Sequence, residues 1–140
     1  MPKKTAAPRK KVLIIEDDED VAKILELLVQ TLGAEVRVAD DGMTGVELAS
    51  SEQPDLVLVD IHLPGMNGLD VIRALRTTPK LEGLPIVVIT GNSTVEYVRE
   101  TARLGANDFL VKANVLAGDG VDRIRKYLAP SAPLRKKRKS

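Results

Sequence analysis

The chain has 140 residues, 44% of them hydrophobic, which suits one domain with a proper core; aromatics are only 2%, so that core has to be aliphatic. It has no cysteine, which excludes a disulfide scaffold, a thiolate metal site and a cysteine nucleophile. The net charge of +1 hides a segregation: ten of the 21 basic residues lie within 1–11 and 135–139, where no acid occurs, so the body between holds 11 basic residues against all 20 acids, a net −9.

These ends predict a disordered basic tail over 1–10 and a basic tail or linker over 130–140, flanking a domain over 11–129. Such tails either aid solubility or touch nucleic acid, a membrane surface or the acidic body itself. No apolar stretch is long enough to span a bilayer, and "MPKKTAAPRKK" lacks the apolar segment of a signal peptide. A cytoplasmic protein without membrane insertion is the default expectation.

Taken in chain order, "VLIIE" (Val12–Glu16) is an apolar run ending in acids. Val21, Ile24, Leu25, Leu28 and Leu32 then recur at helical spacing until Gly33 stops the helix. Ala34–Ala39 alternates like a strand, and a short helix follows with Met43, Val46 and Ala49 expected inward. Asp55–Asp60 is the next apolar run, and Asn67–Thr77 the next helix, with Leu69, Ile72 and Leu75 on one face. Leu84–Thr90 reads as a fully buried strand. Ser93 or Thr94 can cap a helix over Val95–Leu104, closed by Gly105. Asn107–Lys112 is a fifth strand, and a last helix carries Val121, Ile124 and Leu128 inward and ends before Pro130.

Five strand–helix units with short connections predict a parallel sheet covered on both faces by right-handed crossovers. Ligands of such sheets bind outside the carboxyl ends of the strands. Those ends carry Glu16-Asp17-Asp18, Asp60, Thr90 and Lys112, all brought to one edge. Asp18 and Asp20 read as acids at the start of a helix. Carboxylates that close repel each other unless a cation intervenes. Lys112 neutralises one; a hard divalent ion such as Mg²⁺ neutralises more and takes carboxylate, carbonyl, water and phosphate oxygens. Thr90 and Lys112 could each engage a phosphoryl oxygen, and a carboxylate so placed can act as nucleophile, forming an acyl phosphate.

With "VLIIEDDED", "DLVLVDIHLPGMNGLDVIRALR", "LPIVVITG" and "LGANDFLVK" in place, the chain resembles the receiver domain of two-component response regulators over roughly residues 11–128. The resemblance implies a flavodoxin-like (βα)5 fold, a doubly wound α/β sheet of order 2-1-3-4-5. It implies Asp60 as phospho-acceptor, and Glu16, Asp17, Asp60 and the backbone carbonyl of His62 as Mg²⁺ ligands. It further implies Lys112 as the phosphate-pairing lysine, and Thr90 and Phe109 as the switch pair. It implies a sensor histidine kinase or phosphotransfer protein as donor. A downstream target protein would be bound on the face made by the fourth helix, fifth strand and fifth helix, near Tyr97 and Tyr127. Such a protein is a signalling phospho-acceptor rather than an enzyme.

Three features depart from the family pattern. Ala113 follows Lys112 where proline is usual, so the loop is expected to be trans or rearranged. The glycine-rich stretch after Asn114 delays the last helix to near Asp119 or Gly120. Gly91 leaves the pocket side open, where many relatives have alanine. His62, the only histidine, is a candidate for modulating water's access to the acyl phosphate. Phe109 has core packing as its competing reading. Three other readings compete: a receiver cut from a longer regulator or hybrid kinase, a pseudo-receiver acting only by binding, and a nucleic-acid binder working through the tails. A flavodoxin-like cofactor binder or small hydrolase is disfavoured, since no Gly-rich phosphate loop follows the first strand and no aromatic is placed to stack on a flavin.

Overall fold

The computed structural model describes residues 9–91 and 94–129; most of both basic tails, and Ser93, lie outside the described residues. The elements run β1 (Lys11–Ile15), α1 (Glu19–Thr31), β2 (Glu35–Ala39), α2 (Gly42–Glu52), β3 (Leu56–Val59), α3 (Gly68–Arg76), β4 (Ile86–Thr90), α4 (Val95–Leu104), β5 (Asp108–Val111) and α5 (Gly118–Leu128). All strand pairs are parallel, in the order β2-β1-β3-β4-β5, the expected α/β flavodoxin-like arrangement. Ile15 pairs with both Ala39 and Val59, Val59 with Val88, and Thr90 with Val111. This register levels the strand tips, which is how residues far apart in sequence meet at one edge.

Side chains alternate across the sheet and build two aliphatic cores. Val12, Ile14, Leu56, Leu58, Val87, Ile89 and Leu110 pack with Leu25 and Val29 of α1 and Ile124 of α5. On the other face Leu13, Ile15, Val57, Val59, Ile86 and Val88 pack with Ala49 of α2 and Val71, Ile72 and Leu75 of α3. Both faces of the central strands are therefore apolar, which accounts for their unbroken hydrophobic runs.

Helix starts follow from short polar side chains that accept the orphan N–H groups of a first turn. Asp18 caps α1, Asp41 caps α2, Asn67 caps α3 and Thr94 caps α4; α5 follows Ala117 and has no side-chain cap. Three expectations about helix faces are corrected. Ile24 is exposed on α1, because Ala22, Leu25 and Val29 form the buried stripe. Met43 is 66% exposed, because α2 lies so close to β1 that glycine occupies its contact position: a Cβ on Gly45 would sit 2.4 Å from Cδ1 of Ile15. Leu69 is only half-buried; Val71 takes its place beside Ile72 and Leu75. Among the described residues every peptide is trans, so the Lys112–Ala113 bond is too. The chain there forms a short 3-10 turn, Lys112–Asn114, before α5 begins at Gly118, slightly earlier than Asp119.

Candidate functional site at the carboxyl edge of the sheet

Glu16, Asp17, Asp60, Thr90 and Lys112 lie at or just past the ends of strands. Glu16 follows β1, held in line by its N–H donating to the Ala39 carbonyl at 3.0 Å. Asp60 follows β3, with its N–H donating to the Ile15 carbonyl at 3.0 Å. Both are almost wholly buried, at 2% and 4% exposure. Asp17, the next residue after Glu16, is exposed. Oxygens of Glu16, Asp17 and Asp60 lie within 4.8 Å of one another.

Lys112, one residue beyond β5, reaches across to this group. Its Nζ lies 3.1 Å from Asp60 Oδ2, as a hydrogen bond, and 3.0 Å from Glu16 Oε1. The second is a charge contact, and among the described residues the buried Glu16 Oε1 has no hydrogen-bond partner. The other Glu16 oxygen accepts from the Asp18 N–H at 3.1 Å, and Asp60 Oδ1 accepts from the His62 N–H at 3.2 Å.

Burial raises the Glu16 carboxyl above its ordinary pKa, and neighbouring Asp60 adds to that, against the lowering effects of the Asp18 N–H and Lys112. Burial alone would lower the Lys112 ammonium, but its close contacts with the Glu16 and Asp60 carboxylates outweigh it and raise its pKa. One ammonium thus faces three carboxylates, one of them with an unsatisfied buried oxygen. A donor set made only of hard oxygens, carrying surplus negative charge, fits a hard divalent cation of the Mg²⁺ kind.

The Pro-Gly-Met-Asn-Gly stretch after Asp60 has two distinct backbone requirements. Gly65 turns the chain at φ +72°, a left-handed conformation that favours glycine. At Gly68, a Cβ would lie 2.4 Å from the Asp60 carbonyl oxygen and 2.5 Å from Ile61 Cα. The first residue of α3 therefore abuts the backbone of Asp60, and its N–H donates to the Ile61 carbonyl at 2.7 Å.

Thr90 is fully buried at the tip of β4. It lies two residues past Val88, on the same sheet face, and Phe109 pairs with Val88 on the next strand. Phe109 is half-buried: it packs on the core shared by α2, α3 and α4, and also lines a cleft of about 290 Å³ with Val98, Thr101 and Arg123.

A second cleft, about 460 Å³, opens beside the carboxylates and is lined by Asp17, Ile61, His62, Asn67, Leu69 and Tyr97, among others. The His62 and Tyr97 rings meet edge to face, with centroids 5.5 Å apart. The sequence reading placed Tyr97 on the fourth helix near a target-binding face, and gave Tyr97, Asn67 and Leu69 no part in the site. The signal was available: a helix that follows a strand starts at the carboxyl edge, so its first turn borders the site. Asn67 caps α3, Leu69 lies in its first turn, and Tyr97 lies in the first turn of α4.

A family model, the response regulator receiver domain, matches residues 12–118. The chain belongs to the response regulator receiver domain family. Over 102 residues, 73% of the chain, this receiver domain is 42% identical to a probable transcriptional regulatory protein SilR of Salmonella typhimurium and 38% identical to the cell cycle transcriptional regulator CtrA of Caulobacter vibrioides. The aligned region is 44% and 43% of those proteins, so the chain spans less than half the length of the curated relatives it matches. A putative response regulator from Chloroflexus aurantiacus superposes with a TM-score of 0.80 at 31% identity, covering 87% of this chain and 99% of that one. The receiver domain of the sensor histidine kinase PA1611 from Pseudomonas aeruginosa shares the fold at a TM-score of 0.73 and 24% identity, covering 86% and 97%; that structure has a magnesium ion coordinated in its active-site cleft. No helix among the described residues is long and apolar enough to cross a membrane.

Proposed function

We propose that residues 11–129 form a cytoplasmic phospho-accepting receiver, a signalling protein rather than an enzyme with a separate substrate. The observation that carries this reading is the meeting of Glu16, Asp17, Asp60 and Lys112 at one strand edge. A sensor kinase or phosphotransfer protein presents a phosphohistidine to the cleft. An Asp60 carboxylate oxygen bonds to phosphorus as the P–N bond breaks, and the electron pair returns to the imidazole nitrogen. Lys112, already on Asp60, follows the new charge and pairs with a phosphoryl oxygen. Glu16, Asp17, Asp60 and the His62 backbone carbonyl are the residues assigned to hold Mg²⁺. When bound, that ion supplies the positive charge that lets phosphoryl and carboxylate oxygens crowd together.

Phosphorylation adds charge and strong acceptor oxygens at Asp60. Thr90 answers it from β4, and Phe109, half-buried beside a cleft, has room to change position. The result is a shift of population on the α4–β5–α5 face, where a target protein binds. His62 covers the cleft mouth with Tyr97, and we assign it a role in setting how fast water removes the phosphoryl group.

Incubation with Mg²⁺ and acetyl phosphate tests the reading by intact mass. An adduct of about 80 Da is expected on the wild type and absent from Asp60→Ala. No adduct on the wild type leaves a pseudo-receiver that acts by binding alone. In the same assay His62→Ala should change the rate at which the adduct decays; equal rates remove that role.

A further inference from the structure

Lys112 meets two carboxylates at once, Asp60 Oδ2 at 3.1 Å and Glu16 Oε1 at 3.0 Å, from the end of a flexible four-carbon stem. Such a stem reaches a fixed point only if its backbone is aimed. β5 aims it as far as Val111, which pairs with Thr90. Beyond that pair the chain turns, and Ala113 places none of the φ restriction on the turn that a proline would. The Val115 N–H closes the Lys112–Asn114 turn by donating to the Lys112 carbonyl at 3.2 Å, and the Ala117 N–H donates to the Asn114 carbonyl at 3.1 Å. None of the three residues of the turn is buried, so its own side chains do not fix it.

Two contacts with the body of the domain hold it instead. Val115 is 5% exposed and packs with Leu110 and Ile124 in the core on the α1 and α5 face. Gly120, buried in the first turn of α5, lies against backbone: a Cβ there would sit 2.6 Å from the Asn114 carbonyl oxygen and 2.8 Å from both Cα and the carbonyl oxygen of Val115. Backbone atoms cannot swing aside as the tip of a side chain can. Two residues earlier Gly118 faces open space, so within this first turn the need for glycine is confined to position 120. Ile124, fully buried one turn further along the same helix face, presses α5 onto the sheet and keeps the contact closed.

We propose that Gly120 is a positioning residue for Lys112: it lets the first turn of α5 close on the Asn114–Val115 backbone, and that contact sets the trans turn from which the ammonium reaches Asp60. Its part in phosphoryl transfer rests on Asp60 being the acceptor. A methyl group at position 120 has to push this backbone away by about 0.8 Å to turn the 2.6 Å contact into an ordinary one of 3.4 Å. Passed on to Lys112, a shift of that size takes the 3.1 Å bond to Asp60 past hydrogen-bond range. The lysine stem recovers the contact in fewer of its rotamers, so the ammonium spends less time where a phosphoryl oxygen has to be met.

The test compares Gly120→Ala with Gly118→Ala in the full chain by two readouts. The first is the rate of adduct formation from acetyl phosphate with Mg²⁺, followed by intact mass. In that step an Asp60 oxygen bonds to phosphorus as the P–O bond to the acetyl group breaks, and acetate leaves with the electron pair. Gly120→Ala should slow it about 10-fold, since misplacing a reacting group by about 1 Å can cost about 100-fold. Gly118→Ala should stay within about twofold of the wild type. In a Lys112→Ala background Gly120→Ala should slow nothing further, because the group it acts through is gone, whereas a merely structural loss would slow both backgrounds alike. The second readout needs no phosphorylation. An ammonium held between carboxylates is shielded from acetic anhydride, so acylation of Lys112, read by peptide mass, should rise several-fold in Gly120→Ala and not in Gly118→Ala. If circular dichroism shows that Gly120→Ala does not fold, Val115→Ala, which removes a buried anchor of the turn without a clash, takes its place in both readouts. Unchanged Lys112 labelling in Gly120→Ala, equal slowing by the two glycine variants, or an undiminished effect in the Lys112→Ala background overturns the proposal. Raised Lys112 labelling with no adduct on any protein overturns the acceptor reading and upholds the placement of Lys112 by Gly120.

Discussion

Helices α3 and α4 pack on the same face of the sheet, are nearly the same length, and are held very differently. α3 buries Gly68, Val71, Ile72 and Leu75 and abuts the backbone of Asp60. α4 buries Thr101 alone among its residues, and leaves Val95 64% and Val98 39% exposed. The strands beneath differ in the same sense: β4 is buried throughout, whereas in β5 only Leu110 is. Buried apolar area decides which part is frame and which can rearrange at low cost. One side of the carboxylate site is fixed to the core, while α4 approaches it through the Tyr97–His62 ring contact. The proposed switch needs that asymmetry, because a charge placed at Asp60 would have to move something without unfolding the pocket that holds it.

The largest expected effect tests the frame directly. Ile72→Ala empties a fully buried site and should cost about 2–5 kcal/mol in urea unfolding, whereas Val98→Ala on α4 should stay within about 0.5 kcal/mol. Equal losses would mean that α4 is as firmly held as α3. Next comes the bolt between α3 and Asp60, the proposed phospho-acceptor. Gly68→Ala must move backbone at Asp60 or Ile61, for about 1–3 kcal/mol, and should lower the yield of phosphate adduct. Gly91→Ala meets open space and should change neither. A Gly68→Ala protein with wild-type stability and adduct yield would sink the proposed role of that contact.

The contrast between frame and movable quarter was only half legible in the sequence. Unbroken runs such as Ile86–Thr90 announced doubly covered strands, and the polar residues at their tips announced the site, because both signals are local. The meeting of Glu16, Asp60 and Lys112 at one edge followed from topology rules applied to those runs, whereas the sheet order came from the family resemblance. Burial around helices was harder to read. Met43 looks like a core residue by spacing, but Gly42 and Gly45 bring α2 so near its neighbours that the larger side chain is turned out. The Tyr97–His62 contact was not legible, because the two lie 35 positions apart by number and meet only once α4 is docked. Lys112 held its place despite Ala113, because a 3-10 turn supplies the change of direction.

Helix starts offer a finer way to sharpen the comparison. Among the described residues, α5 is the one α-helix of five without a side-chain cap. Ala117 already has extended backbone, φ −75° and ψ 159°, so Ala117→Asp can accept a first-turn N–H and should add about 1 kcal/mol. Slower amide exchange confined to α5 would show that this quarter is loose through its ends as well as its thin packing. No change in exchange would leave packing as the whole cause.

The smallest effect concerns the cap of α2, on the frame side. Asp41 accepts from the Thr44 N–H at 2.8 Å and from its hydroxyl at 3.2 Å, and these bonds hold its carboxyl below the usual 3.8. A depressed folded-state pKa means that the ionised cap stabilises fully above the unfolded value and loses its contribution as pH falls through the folded one. Asp41→Asn keeps an acceptor for the same N–H but cannot titrate. The wild type and the variant should therefore differ by a constant amount at neutral pH, and the wild type should lose ground only below about pH 3.8. Thr94 caps α4 with a hydroxyl, so that helix start should show no such acid limb. Urea midpoints from about pH 7 down to pH 2.5 decide the matter. A gap that opens near pH 6, or one that stays constant through the acid range, would place the titrating group elsewhere.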